Sequence, residues 1–193
     1  MPKVILFCGV ESTGKSTMIS KVKEYLLSKS YSVEVIDEYG RDVCENSGGV
    51  FEMNLDDYEL ILYGHQHNIV KTISKDCDYI LLDTDSVYTR YYLDKDIELQ
   101  QKDFKRYEAI VKTSEDIVKY NTSLNRISSI IFLNSDCPFV QDGTRTYESS
   151  RQEDNITLLN LYKKLYPNEL INVITGSDYS SRYNKCIKII KTK

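Results

Sequence analysis

The stretch VILFCGVESTGKST, residues 4–17, joins an apolar run to a glycine-bracketed loop that opens into a helix-compatible segment. Its first five residues, VILFC, have the near-continuous apolar character of a strand covered on both faces. Residues 9–16 then satisfy G-x-x-x-x-G-K-[ST], a phosphate-binding pattern whose proper context is a strand before it and a helix after it. Gly9 and Gly14 permit a backbone whose amides turn inward as an anion nest. The whole loop, with Glu11, Ser12, Thr13 and Thr17, is therefore a candidate nucleotide site. Lys15 supplies a point charge to the β- and γ-phosphates, and Ser16 offers a hydroxyl to Mg²⁺. The loop calls for a nucleoside triphosphate.

Four further apolar runs follow: SVEVID (32–37), YILLD (79–83), SIIFLN (129–134) and LINVIT (170–175). Helix-compatible segments separate them at 15–29, about 55–75, 86–121 with a break, 150–166 and 179–191. Strand–helix alternation of this kind predicts a doubly wound α/β fold with a parallel sheet. No linker and no repeat interrupts the 193 residues, so one domain is expected. SRQE at 150–153 reads as a capping box, with Ser150 and Glu153 reciprocally satisfying the first amides of a helix.

Composition narrows the function. A formal net charge of −4, without any block of Lys or Arg, argues against a nucleic-acid partner and leaves room for a cationic small substrate. No apolar run approaches the ~18 residues needed to span a bilayer, and the N-terminus lacks a secretory pattern. Five scattered cysteines form no CxxC pair, which favours a reduced, cytoplasmic setting without structural zinc. Cys8, inside the first strand, reads as a small buried hydrophobe.

Four other segments carry candidate chemistry. LLDTD ends the third strand in Asp83 and Asp85, at the carboxyl edge where ligands bind in open α/β sheets. Asp83 is the candidate magnesium partner of Ser16, and Asp85 can meet the acceptor hydroxyl. DEYGRD (37–42) places Glu38, Tyr39 and Arg41 at the same edge; Glu38 is slightly favoured over Asp85 as the base. QDGTRTYESSR (141–151) reads as part of a lid spanning about 136–151, with Arg145 and Arg151 closing on the triphosphate. In GHQH (64–67) the two histidines fall on different helix faces and cannot share a metal, while Gln66 can line the acceptor pocket. The guanine-reading NKxD of switch GTPases is absent, so transfer to a small hydroxylated acceptor is the favoured chemistry.

GVESTGKST, EYGRD, DYELILYGHQ, LLDTD, DGTR and SRYN stand in the order and near the spacing of the ribosylnicotinamide kinase domain of NadR proteins, which this chain resembles from Val4 to about Ile190. The resemblance implies a five-stranded P-loop kinase with sheet order 2-3-1-4-5. It also implies phosphorylation of the 5′-hydroxyl of nicotinamide riboside by ATP and Mg²⁺, giving nicotinamide mononucleotide. TGSDY (175–179) is where this class usually wraps adenine. Bifunctional relatives carry a nucleotidyltransferase domain, and some a DNA-binding one; neither is found in these residues, so adenylyl transfer and operator binding are not expected. Two rivals stand beside this reading: a deoxynucleoside or nucleotide kinase on the same fold, and a non-catalytic nucleotide-sensing module. Oligomeric state is not legible.

Overall fold

A computed structural model describes residues 2–140 and 149–192. Five parallel strands form one sheet in the order β2-β3-β1-β4-β5: β1 (Lys3–Cys8), β2 (Val33–Ile36), β3 (Tyr79–Asp83), β4 (Ile127–Leu133) and β5 (Ile171–Ile174). Each expected strand is present within about two residues of its predicted limits. The sheet order is the one the family resemblance implied.

Side-chain alternation in β1 shows how both faces are covered. Val4, Leu6 and Cys8 point to one layer, and Ile5 and Phe7 to the other. The second layer is made by α1 (Lys15–Ser28), with Met18, Val22 and Leu26, and by α8 (Tyr179–Lys191), with Cys186 and Ile190. On the opposite face lie α3 (Leu55–Ile73), α4 (Ser86–Lys95), α6 (Phe104–Ser123) and α7 (Arg151–Leu165), which contribute Ile69, Val87, Val118, Leu158 and Tyr162. Cys8 is fully buried there, as a small hydrophobe should be.

Two segments differ from expectation. EYGRD begins a helix, α2 (Tyr39–Asn46), and Glu38 occupies its N-cap position. The long segment 86–121 is three helices, with α5 (Ile97–Lys102) between α4 and α6. Asp96 and Asp103 make those breaks by capping the amides of Leu99 and Arg106. α2, α3, α4 and α6 bury a third cluster that includes Val43, Met53, Tyr58, Ile61 and Leu93. That cluster builds a wall beyond the carboxyl edge of the sheet.

Helix α7 starts where SRQE placed it, but its capping box is not formed. Ser150 adopts a helical backbone, and its hydroxyl donates to Asp154 at 2.7 Å, a carboxylate also held by Lys95 at 2.8 Å. The reciprocal box is found instead at α3, between Asn54 and Asp57.

Candidate active site

The loop between β1 and α1 has the strained backbone its glycines require. Gly9 has φ 142°, and a Cβ there would collide with the Leu133 carbonyl oxygen at the end of β4. Gly14, at φ 81°, occupies the N-cap of α1, and Ser12 is left-handed at φ 58°. Thr13 Oγ1 donates to the Val10 carbonyl at 2.9 Å and closes the turn from inside. Lys15, 8% exposed, donates its Nζ to the Gly9 and Val10 carbonyls at 2.9 and 3.3 Å, with the Tyr88 ring 5.0 Å away.

Ser16 Oγ donates to Asp83 Oδ2 at 3.3 Å, joining the first turn of α1 to the end of β3. The other carboxylate oxygen, Asp83 Oδ1, is buried without a hydrogen-bond partner. An orphaned carboxylate oxygen beside a loop serine fits a hard divalent cation, which takes oxygen ligands and draws the rest from phosphates and water. Among the described residues no group of three or more His, Cys, Asp or Glu could hold a metal ion alone. Burial pushes the Asp83 carboxyl up, while Lys15 and the Ser16 hydroxyl pull it down.

A cavity of about 530 Å³ runs from this loop to the α2–α3–α4 wall. Glu38 at the N-cap of α2 and Arg41 within it line the cavity, with Glu11 from the loop, Thr17 from the first turn of α1, and Tyr58, Tyr88 and Tyr92 from the wall. Glu38 is half-buried, and its carboxyl is raised chiefly by burial. Lys15 and Arg41 work against that shift, whereas Asp83 and Glu11 add to it. Tyr92 donates its hydroxyl to Glu11 Oε1 at 3.2 Å, and the Tyr88 and Tyr92 hydroxyls lie 3.2 Å apart.

Several expected site residues stand elsewhere. Asp85 is 3% exposed and is not on the cavity wall: it accepts from Tyr162 at 2.7 Å, Tyr166 at 2.6 Å and the Val87 amide at 3.1 Å. It caps α4 and ties it to α7, because a one-residue step past Thr84 (φ 62°) turns the side chain inward. Gln66 forms a reciprocal amide pair with Asn121 at 3.2 and 2.9 Å, joining α3 to α6. One helical step away, His65 lines the cavity in its place. Tyr39 packs against Gly64, where any Cβ would collide with its ring; the Gly of GHQ serves that close approach.

Arg151 was expected to face a phosphate from the lid. Its guanidinium is instead spread over carbonyls: Glu11 at 3.2 Å, Ser12 at 3.0 Å and Cys137 at 2.7 Å. It braces the phosphate loop from outside. Arg145, and residues 141–148 of the expected lid with it, lie outside the described residues. Tyr92, Tyr162 and Tyr166 escaped sequence reading, since Tyr among sixteen carries no local signal.

The family model described as an AAA domain matches residues 4–182. The chain belongs to the AAA domain family. No curated protein matches the sequence. Among solved structures, this AAA domain is similar to a NadR protein in complex with NR, at TM-score 0.77 and 22% identity over 99% of this chain and 51% of that one. It thus spans about half the length of that NadR chain. The same fold recurs in thymidylate kinase from Ehrlichia chaffeensis (TM-score 0.67, 15% identity, covering 98% of both chains). It recurs again in deoxyadenosine kinase from M. mycoides (TM-score 0.64, 14% identity, covering 98% of this chain and all of that one). The AAA domain here is thus built on the P-loop kinase fold. Among the described residues no helix is long and apolar enough to cross a membrane.

Proposed function

We propose that this chain is an ATP-dependent kinase that transfers the γ-phosphoryl group to the 5′-hydroxyl of nicotinamide riboside, giving nicotinamide mononucleotide. The observation that carries the reading is one cavity with a phosphate loop at one end and a carboxylate-and-tyrosine wall at the other. Nicotinamide riboside has a fixed positive charge on an aromatic ring. Carboxylates answer the charge, and tyrosine faces answer the ring at roughly 0.5–2 kcal/mol per cation–π contact.

The loop amides and Lys15 hold the triphosphate, Ser16 and Asp83 would hold Mg²⁺, and Glu38 orients the acceptor hydroxyl and takes its proton. A bound Mg²⁺ would supply positive charge to the triphosphate during transfer. A raised carboxyl at Glu38 suits a base, since it narrows the gap to the hydroxyl. Gly14 lies 4.0 Å from the Tyr179 ring, measured from a Cβ placed on it, so the TGSDY turn stands beside the loop where adenine would sit. Arg145 is proposed as a further cation over the transferring phosphoryl group.

The similarity to thymidylate and deoxyadenosine kinases supports the second reading, a nucleoside or nucleotide kinase. The deciding experiment is kcat/KM with ATP and Mg²⁺ for nicotinamide riboside against thymidine, cytidine, adenosine and thymidylate. We expect the neutral nucleosides to trail by about 10²-fold or more, because they bring no positive charge to the carboxylates that line the cavity. A nucleoside or nucleotide that outperforms nicotinamide riboside transfers the protein to the second reading.

A further inference from the structure

Glu11 is an unusual occupant of a phosphate loop. A carboxylate directed into an anion nest opposes the triphosphate, at a cost of a few kcal/mol for unit charges about 4 Å apart near a protein surface. The structure resolves the conflict by dividing the residue. Its backbone belongs to the loop, where its carbonyl accepts from Arg151 at 3.2 Å. Its side chain belongs to α4, where Oε1 accepts from the Tyr92 hydroxyl at 3.2 Å.

Tyr92 is in turn fixed. Its hydroxyl meets that of Tyr88 at 3.2 Å, and the two rings stand edge to face with centroids 5.0 Å apart. Burial holds both phenols well above their ordinary range, so they remain neutral. α4 is itself clamped at its start by Asp85, through Tyr162 and Tyr166. The carboxylate of Glu11 is thus aimed by a chain of contacts rooted in the sheet, and it shares the cavity with Glu38.

We infer that Glu11, oriented by Tyr92, is a specificity-determining residue that selects a positively charged acceptor rather than a nucleotide ligand. The inference rests on the proposed kinase reading and adds the source of its charge selectivity. Glu11 and Glu38 line the same cavity, and Glu11 adds to the charge that Glu38 faces there, so a cation between the two carboxylates relieves their repulsion. The acceptor's own charge then helps keep Glu38 in its basic form.

The test compares nicotinamide riboside with its reduced dihydro form, which has nearly the same shape and no ring charge. Binding of each, and of AMP-PNP, is measured by calorimetry for wild type, Glu11→Gln and Tyr92→Phe, together with kcat and KM. Glu11→Gln should weaken nicotinamide riboside by about ten- to a hundred-fold and leave the dihydro form and AMP-PNP nearly unchanged. Tyr92→Phe should move the same preference in the same direction by less, since it loosens the carboxylate without removing it. If Glu11→Gln weakens AMP-PNP, or preserves the wild-type preference for the charged form, the inference is overturned while the kinase reading stands. If wild type fails to phosphorylate nicotinamide riboside, the kinase reading falls and takes this inference with it.

Discussion

The Arg151 guanidinium donates to the Ser12 carbonyl at 3.0 Å across 139 residues of sequence, so the first residue of α7 braces the phosphate loop of β1–α1. It also holds the Glu11 and Cys137 carbonyls, which fastens the stem of the expected lid to the same loop. A second tie runs parallel: the Val140 amide donates to Ser12 Oγ at 2.7 Å.

Arg151→Ala should therefore cost stability and nucleotide affinity together. The Ser12 carbonyl would keep the Cys137 thiol as a donor at 3.3 Å, whereas the part-buried Glu11 and Cys137 carbonyls would lose the guanidinium at about 1–3 kcal/mol each, and we expect a net loss on the order of 2–3 kcal/mol. Arg151→Lys should recover only part, since an ammonium cannot span three carbonyls as a planar fork does. Thermal melts and AMP-PNP calorimetry check this. A variant with wild-type melting and a loss confined to kcat would return Arg151 to the phosphate.

Asp83→Asn keeps the shape that receives Ser16 but removes the charge beside the orphaned Oδ1. The Mg²⁺ concentration for half-maximal rate should rise, and kcat should drop by about 10²-fold or more at fixed Mg²⁺. Titrating activity against Mg²⁺ measures both. An unmoved half-saturation point means the metal is anchored elsewhere.

Glu38 and Asp85 should part by role. Glu38→Gln should lower kcat by roughly 10²-fold or more with little change in stability. Asp85→Asn should lower stability by on the order of 2 kcal/mol, because an amide nitrogen faces a tyrosine hydroxyl where an oxygen accepted. Its kcat per folded molecule should stay near wild type. With the Glu38 carboxyl raised, the base is lost as pH falls through a value above the ordinary glutamate range, and the acid limb of the rate profile should sit there. Glu38→Gln should abolish that limb.

His65 is 3% exposed, and burial lowers its pKa from 6.5 to about 4. Its Nε2 is buried without a partner. A depressed folded value means the contribution to stability is present above pH 6.5 and is lost as pH falls towards 4. The full shift corresponds to roughly 3 kcal/mol. Urea unfolding at pH 7.5 and pH 5 should show the decline in wild type, and a flatter dependence in His65→Phe. Equal pH slopes in the two proteins would show that His65 is not the titrating group.

The local signals were strong where chemistry and backbone are written in adjacent residues. VILFC followed by GVESTGKST fixes strand, nest and helix within fourteen positions, because strand burial and positive φ at Gly14 are local demands. Alternating apolar runs fixed the α/β class, since a strand buried on both faces admits few other residues. Side-chain direction one step beyond an element was not local. Asp83 and Asp85, two residues apart, divide into a Ser16 partner and a helix clamp because Tyr162 and Tyr166 arrive from α7. Gln66 yielded the cavity to His65 by 100° of helix rotation, set by where Asn121 packs. Arg151 turned to carbonyls rather than phosphate because the loop's outer face lay within reach of its fork. Those outcomes depend on which distant groups satisfy a buried charge or amide, and that is decided only once the layers close.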